Sequence, residues 1–319
     1  MTQKTISITL TALLISAALS LPVAAAPKKE AQPQSQKITV KTIGAISCET
    51  SSIEKNPDGS LKQCILTETK TIPVADVTCA PGLIKLNAEG IVSQCVLAVD
   101  RSYPDPLGII CDDGKIIELH PNGTPAKCTL AVEKKAPLLG AVCAANNVVA
   151  FYADGQLKQC VSTVEKKVPF ANTKEVYITE FTCAKNSVIG FYPDGKVQQC
   201  TPTEHIYMRG KGTILPGEPV SLYPDGKVEE GTYTTPVYQN RSCKIENRAS
   251  FHPNGSFKSC ILPDDKHVGK AICKADAPVT YYPNGHVASC TLAAPVEKVK
   301  GTVIPAGTEV KFDEKNVIK

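Results

Sequence analysis

Short runs in which apolar and polar residues alternate occur along most of this chain, and a turn signal separates the two runs of each pair. Around Gly155, Val149 and Phe151 are apolar with one residue between them, and Leu157 and Val161 follow the turn. A period of two predicts β-strands with one buried face, and no window of similar length shows the 3.6-residue period of a helix. We therefore predict a hairpin whose buried face carries Val149, Phe151, Leu157 and Val161.

Eight segments share this hairpin signal. Each has an aromatic or polar residue, a Pro or Ala, an acid or amide, a Gly and a second alternating run. The segments are NPDGSLKQC (56–64), NAEGIVSQC (87–95), HPNGTPAKC (120–128), YADGQLKQC (152–160), YPDGKVQQC (192–200), YPDGKVEEG (223–231), HPNGSFKSC (252–260) and YPNGHVASC (282–290). Pro fixes φ early in the turn, and Gly accepts the positive φ that closes the turn with a bulge. A shortened ninth unit has Asn316 in the glycine position.

The repeats predict the fold class and the domain organisation. One hairpin alone is not stable in water, whereas hairpins side by side bury a continuous apolar face. A third short strand precedes each hairpin, as at 140–143. We predict an all-β fold over residues 43–319, with an insertion near 163–180. It is an elongated stack of about nine β-hairpin repeats, a solenoid or a long meander, held together by disulfides.

The cysteines are paired by their spacing. The chain has 14 Cys and no Trp, and two cysteines 16 or 17 residues apart occur in seven of the units. The pairs are Cys48/Cys64, Cys79/Cys95, Cys111/Cys128, Cys143/Cys160, Cys183/Cys200, Cys243/Cys260 and Cys273/Cys290. In the sixth unit, around Gly226, Leu215 stands in the first cysteine position and Gly231 in the second. In the shortened ninth unit Ile304 stands in the first.

Loss of both cysteines from the same unit favours disulfides within each unit. A disulfide that closes a loop of about 15 residues stabilises a protein by roughly 3 kcal/mol, and seven of them would compensate for a core poor in aromatic residues. Zinc is the competing interpretation, but the chain has no Cys-x-x-Cys and no nearby pair of His residues. We predict seven disulfides and no free thiol.

The N-terminal residues predict export. A basic start with Lys4, an apolar stretch from Ile6 to Leu21 and small residues at Val23 and Ala25 are typical of a secretory signal peptide over residues 1–25. The alternative is an uncleaved membrane anchor. Residues 26–42 are rich in Lys, Gln and Pro, which predicts a flexible tether. We predict that the mature protein is periplasmic or extracellular, where disulfides persist.

No catalytic, metal or cofactor motif is found in the sequence. His-Glu-x-x-His, Gly-x-Ser-x-Gly and the phosphate-binding loop are absent. His120 and His252 occupy positions where other units have Tyr, which favours packing over catalysis. The Asp-Gly turns lack the spacing of calcium-binding β-rolls. A net charge of +4 is too small to indicate nucleic acid binding. We predict a protein that is not an enzyme and holds no cofactor.

One row of side chains is a candidate binding surface. The residue three before each turn Gly lies on the face opposite Phe151, which places Tyr152, Tyr192, Tyr223, His252 and Tyr282 in a line that we call the ring row. Exposed, repeated aromatic rings are a common way to hold glycans, peptides or lipid headgroups. The alternative is that the rings only cover the turn prolines and the disulfides.

The segments FYADGQLKQC, FYPDGKVQQC and SLYPDGKVEEGTY resemble the divergent MORN-type repeats of bacteria. In those repeats an aromatic pair, Asn/Asp-Gly and a Leu or Val open a hairpin that is followed by Gly-x-Tyr. The resemblance extends over the eight units and is strongest in the sixth. This chain departs from the family because it lacks Trp and has Cys in place of the usual Gly. The resemblance implies stacked hairpins and a scaffold, membrane-associated or antitoxin-like binding role, without catalytic residues.

These observations predict an exported, non-enzymatic repeat protein with a binding or scaffold role at the bacterial cell envelope. Its partner would be a protein or an envelope polymer, and peripheral membrane contact is compatible with the pattern. The alternative is a secreted inhibitor, or an immunity or antitoxin-like protein, that blocks a partner enzyme. A third hypothesis, an enzyme or enzyme-like toxin with its site in the 163–181 insertion, has only that insertion to support it.

Overall fold

A computed structural model describes residues 34–73, 75–104, 107–136, 139–169, 180–208, 212–232, 243–244, 246–298 and 301–319. The predicted signal peptide and the first part of the predicted tether, residues 26–33, lie outside the described residues. The fold is all-β, as predicted. The described residues form 33 strands and one three-residue 3₁₀ helix (Thr50–Ser52), and no α-helix occurs among them.

The strands follow one another in short pairs along the chain. They are β1 (Ser35–Val40), β2 (Gly44–Glu49), β3 (Glu54–Lys55), β4 (Leu61–Leu66), β5 (Lys70–Ile72), β6 (Val77–Cys79), β7 (Gly82–Leu86), β8 (Val92–Val96), β9 (Arg101–Tyr103), β10 (Ile109–Cys111), β11 (Ile116–Leu119), β12 (Pro125–Thr129), β13 (Lys134–Ala136), β14 (Ala141–Cys143), β15 (Val148–Phe151), β16 (Leu157–Ser162), β17 (Lys166–Pro169), β18 (Glu180–Cys183), β19 (Ser187–Phe191), β20 (Val197–Cys200), β21 (Ile206–Met208), β22 (Gly212–Ile214), β23 (Val220–Leu222), β24 (Val228–Thr232), β25 (Arg248–Phe251), β26 (Phe257–Ile261), β27 (Lys266–Val268), β28 (Ala271–Cys273), β29 (Pro278–Tyr281), β30 (Val287–Thr291), β31 (Val296–Lys298), β32 (Thr302–Ile304) and β33 (Glu309–Lys311).

The predicted hairpins form one long antiparallel meander. Each hairpin pairs its two strands, as β15 does with β16, and its second strand then pairs with the first strand of the next hairpin, as β16 does with β19. The sheet contains 21 strands, because strands β1, β2, β13 and β14 also pair with it. The eight turn glycines have φ between +77° and +87°, which an L-residue rarely adopts and which explains why Gly recurs at this position.

A two-stranded ribbon precedes every hairpin except the seventh, before which residues 233–242 lie outside the described part of the chain. We call a hairpin together with the segment that precedes it a unit. The ribbons are the pairs β1–β2, β5–β6, β9–β10, β13–β14, β17–β18, β21–β22, β27–β28 and β31–β32. The second strand of each ribbon is the short strand predicted before each hairpin. Its partner is a strand that the sequence analysis did not predict.

The hairpin register differs from the predicted one by a second bulge, in addition to the one predicted at the turn Gly. Ala150 lies opposite Gln159, whereas Phe151 lies opposite Leu157, so the second strand carries one extra residue. The extra residue reverses the alternation beyond it. Cys160 is therefore buried, and Val161, which we predicted on the buried face, is half-exposed on the outer face of the sheet.

The core lies between the inner face of the sheet and the ribbons. From the second unit onward it contains the apolar residue before each turn, and Phe151, Phe191, Phe251 and Phe312 are at most 4% exposed there. The fourteen cysteines lie in the same layer and are at most 7% exposed. The disulfides are therefore part of the hydrophobic core.

All seven predicted disulfides are present, and the described residues include no free cysteine. The bonds are Cys48–Cys64, Cys79–Cys95, Cys111–Cys128, Cys143–Cys160, Cys183–Cys200, Cys243–Cys260 and Cys273–Cys290. In six units the bond joins the second ribbon strand to the second hairpin strand. In the seventh unit Cys243 precedes the hairpin outside any described strand and is bonded to Cys260 of β26. Each bond therefore closes a unit on itself.

The second cysteine of a unit also lies at the junction with the next hairpin. Its backbone is in register with a buried valine or isoleucine on the first strand of that hairpin. The pairs are Cys128 with Val149, Cys160 with Ile189, Cys260 with Val279 and Cys290 with Val310. The cystine therefore packs against the apolar face of the following unit as well as within its own.

The sixth unit replaces the disulfide with an apolar contact. The amide of Leu215 donates to the carbonyl of Thr232, the bond made elsewhere by the residue after the first cysteine. The first cysteine position is therefore held by Ile214 and not by Leu215, a correction of one residue. Ile214 is fully buried, and a Cβ on Gly231 would lie 3.0 Å from its Cδ1. The Ile side chain thus fills the space that the two sulfurs occupy elsewhere.

Two predicted boundaries differ from the structure. Residues 35–40, which the composition assigns to the flexible tether, form strand β1 and pair with β2. The reason is the alternating Lys37-Ile-Thr-Val40 run, whose Val40 packs near the turn at Gly90. The predicted insertion near 163–180 begins with a ribbon strand, β17, and its residues 170–179 lie outside the described residues.

We predict that the sixth unit is the least stable of the array and that a disulfide can be added to it. Ile214→Cys with Gly231→Cys places two cysteines where other units bond at Cα distances of 5.6–5.8 Å. The closed loop should add about 3 kcal/mol. Amide hydrogen exchange should show residues 212–232 opening early in the wild-type protein and late in the oxidised variant.

The control for this prediction is Gly231→Ala, which should destabilise the unit because its Cβ meets Ile214. Equal protection of every unit in the wild-type protein would contradict the prediction.

Candidate functional site

The ring row lies on the outer face of the sheet, where each ring follows the last buried residue of the first hairpin strand. The turn itself fixes this position. The amide of Gly155 donates to the carbonyl of Tyr152 at 2.9 Å, and the amide of Tyr152 donates to the carbonyl of Gln156 at 2.9 Å. All five residues of the ring row are half-buried, so they are neither core residues nor freely exposed ones.

Each ring is hydrogen-bonded to the next unit. The hydroxyl of Tyr152 donates to the carbonyl of Phe191 at 2.8 Å. The same bond is made by Tyr192 to Leu222 at 2.7 Å, by Tyr223 to Phe251 at 2.6 Å and by Tyr282 to Phe312 at 2.7 Å. His252 Nε2 lies 2.9 Å from the carbonyl of Tyr281, and His120 Nε2 lies 3.1 Å from that of Phe151. Tyr and His are interchangeable here because both present a polar hydrogen at the tip of a ring.

These bonds cross six successive junctions between units, from the third unit to the ninth. Each acceptor lies 28 to 39 residues further along the chain than its ring. The sequence therefore predicts the row of rings but not their hydrogen-bond partners. The first two units have Asn56 and Asn87 at this position. Asn87 bonds within its own turn through Oδ1, which accepts from the amide of Ile91 at 2.9 Å.

The turns are joined to each other by a second set of bonds. In the fifth and sixth units a Lys follows the Pro-Asp-Gly turn and reaches the next turn. Lys196 Nζ lies 3.1 Å from the carbonyl of Pro224, and Lys227 Nζ lies 3.0 Å from that of Pro253. In a Pro-Asn-Gly turn the Asn amide takes this role, as Asn254 does to Pro283 at 3.1 Å. Asp cannot donate, so a Lys after the Gly supplies the donor.

The environment of three of the rings raises the pKa of their phenols. Burial raises the pKa of Tyr152, Tyr192 and Tyr223 above the usual value, because it disfavours the phenolate. The ammonium of Lys158 lies 5.6 Å from the ring centre of Tyr152, a cation–π contact on the outer face. The rings are therefore neutral donors with one side turned toward solvent.

A crevice of about 380 Å³ lies on the other side of the turns, between the ribbon β17–β18 and the fifth and sixth hairpins. Val168, Val197 and Leu222 supply its apolar wall, and Lys166 lies at its side. Burial lowers the pKa of Lys166. The crevice has the size of a small ligand site, but no group of acids, bases and nucleophiles among its described lining residues converges on it.

One group of carboxylates has the spacing of a cation site. Oxygens of Asp100, Asp112 and Asp113 lie within 4.8 Å of one another. Asp100 precedes β9, and its Oδ1 accepts the amide hydrogen of Asp113 at 2.9 Å, which holds this carboxylate against the turn after β10. Exposed acids in such a turn are common in proteins that hold no metal.

Comparison with protein-family models finds no family that matches the chain, and comparison with curated proteins finds no relative. The likeness to MORN-type repeats therefore stays a prediction. Among the described residues, no helix has the length and hydrophobicity needed to cross a bilayer.

We predict that the ring bonds stabilise the junctions. Replacing Tyr152, Tyr192 and Tyr223 with Phe keeps each ring and removes three hydrogen bonds, which should cost about 1 kcal/mol per bond. The measurement is the urea midpoint by circular dichroism. Tyr207→Phe is the matched control, because Tyr207 is 50% exposed and takes no part in the ring row.

The same variant tests the sign of a pH dependence. Folding raises the pKa of these three phenols above the unfolded value near 10. The stability that the neutral hydroxyls contribute is therefore complete below about pH 10 and is lost as the pH rises through the folded-state pKa. The wild-type midpoint should fall more than that of the triple Phe variant between about pH 8 and pH 11. Parallel losses in the two proteins would show that the ring hydroxyls contribute nothing to the junctions.

Proposed function

We propose that this chain is an exported, non-enzymatic repeat protein that binds or scaffolds a partner at the bacterial cell envelope. Seven intramolecular disulfides indicate an oxidising environment outside the cytoplasm. Within this, we propose a periplasmic or extracellular location and a MORN-type origin for the hairpins.

The observation that carries the proposal is the fixed position of the ring row. Each hydroxyl is held by the backbone of the next unit, so the exposed side of each ring cannot change its orientation freely. A partner that contacts such rings loses little conformational entropy on binding. Rings in successive units are two strands apart, roughly 9–10 Å, which suits a long partner that crosses the strands.

The arrangement of titratable groups supports a binding role over a catalytic one. His120 and His252 are engaged with backbone carbonyls in the same way as the tyrosines. The sulfur atoms are bonded in pairs and buried. The imidazoles of these two histidines and the cysteine sulfurs therefore have structural roles in the described units.

The proposal is tested by binding to material from the cell envelope. The oxidised mature protein is immobilised, and envelope extract is passed over the wild-type chain, over Tyr192→Ala with Tyr223→Ala, and over Tyr192→Phe with Tyr223→Phe. The Phe variant keeps the rings but loses the hydroxyl bonds that fix them, so it should retain the partner with an affinity between those of the wild type and the Ala variant. The Ala variant should lose about 2 kcal/mol or more of binding, a factor of roughly 30 in affinity.

Melting temperatures of both variants separate loss of binding from loss of folding. Unchanged affinity of a folded Ala variant would exclude the ring row as the contact surface and leave it as a structural device. If the retained partner is an enzyme and its activity falls on binding, the inhibitor alternative takes the place of the scaffold role.

A further inference from the structure

The outer face of the sheet carries two more rows of side chains, further from the turns than the ring row. The first is a mainly polar row that crosses the whole meander in unbroken register. Its members are Glu54, Gln63, Lys85, Gln94, Glu118, Lys127, Ala150, Gln159, Gly190, Gln199, Ser221, Glu230, Ser250, Ser259, Thr280, Ser289 and Lys311. Adjacent members lie one strand spacing apart, about 4.8 Å.

The second row lies two residues further from the turns. Between β4 and β19 all of its residues except Thr129 are apolar, and we call this part of the row the apolar stripe. From β4 to β19 it consists of Ile65, Leu83, Val96, Ile116, Thr129, Val148, Val161 and Val188. Ile65, Ile116, Val148 and Val188 are between 38% and 51% exposed. Beyond β19 the same row is mixed, because Arg248 and Glu309 are charged whereas Ile261 and Pro278 are apolar.

The apolar stripe has an internal symmetry about the third hairpin. A line between β11 and β12 divides its eight strands into two halves, which match residue for residue when one half is turned onto the other. Ile65 then corresponds to Val188, Leu83 to Val161 and Val96 to Val148. Only the central pair, Ile116 and Thr129, combines an apolar residue with a polar one.

The polar row beside the stripe is complementary under the same operation. Glu118 on β11 corresponds to Lys127 on β12, and these two already form an ion pair of 3.5 Å within the chain. Over the eight strands, Lys85 is the one charged residue among the other members of this row, and it corresponds to Gln159. The rotation therefore brings no two like charges of the polar row together over these strands. A surface that is complementary to itself under a two-fold rotation fits a second copy of the same surface.

We propose that two copies of this chain associate through the apolar stripe, face to face, about a two-fold axis that runs parallel to the strands between β11 and β12. Sheets pack in this way about 10 Å apart, with strands within about 30° of one another. Glu118 of each copy then faces Lys127 of the other copy, and the twist of the sheets restricts the closest contact to the central strands.

The dimer is independent of the proposed binding function and compatible with it. Tyr223, His252 and Tyr282 follow strands outside the eight that overlap, so these three rings, unlike Tyr152 and Tyr192, stay available to another partner. The dimer would present two such sets of rings, one on each copy, and would raise the avidity for a long partner.

The test is a charge exchange across the axis, read by analytical ultracentrifugation of the oxidised protein. Wild type should be a dimer at micromolar concentration. In the Glu118→Lys variant both facing pairs combine two lysines, and in the Lys127→Glu variant both combine two acids. Each single variant should therefore dissociate at least ten times more readily than the wild type.

Mixing the two single variants should restore association as heterodimers. One chain then presents lysine at both positions and the other presents glutamate at both, so every facing pair is again of opposite charge. The mixing step separates contact between chains from the ion pair within one chain, which mixing cannot restore.

A second pair of variants tests the apolar stripe itself. Ile116→Lys with Val148→Lys should be monomeric, and Pro278→Lys, on the same face outside the overlap, should stay dimeric. A monomeric wild-type protein, unchanged dimers of the single charge variants, or single charge variants that do not combine on mixing would each overturn the proposal.

Discussion

The buried disulfide that ties a hairpin to the segment before it is the constraint on which seven of the nine units depend. Most ribbon strands are only three residues long, and an isolated hairpin is marginal in water. The bond links the two across the core, and a β-bridge beside it, such as Cys79 with Leu97, brings the chain back to the ribbon. The cystine sulfurs thereby supply apolar volume in a chain with only 5% aromatic residues.

Units closed in this way are joined to their neighbours in sequence. Three sets of contacts cross the junctions in the later part of the array: strand pairing, the ring bonds, and the tip of a ribbon on the next turn. Leu139, for example, lies 3.0 Å from the position of a Cβ on Gly195, so this Gly is required by packing as well as by its φ. Stability in such an array is the sum of local terms, which is why the sixth unit can lose its disulfide when Ile214 fills the space.

The sequence was sufficient for the hairpins, the turns and the cysteine pairs because each of these is local and repeated. It was insufficient where a shift of one residue changed the strand register or the alignment of a unit. The bulge moved Val161 to the outer face, and the sixth-unit alignment moved from Leu215 to Ile214. Three-residue ribbon strands are too short to show a period. The acceptors of the ring row could not be predicted, because a carbonyl has no signature in the sequence.

The same regularity that holds the units together creates the surfaces available for function. Rings fixed by the next unit and a stripe in unbroken register both follow from closed units that repeat in one direction. The most direct test of this account is proteolysis of the oxidised protein with mass-spectrometric mapping of its disulfides. The account predicts seven bonds within units and no free thiol, and a bond between units, such as Cys64 to Cys79, would contradict it.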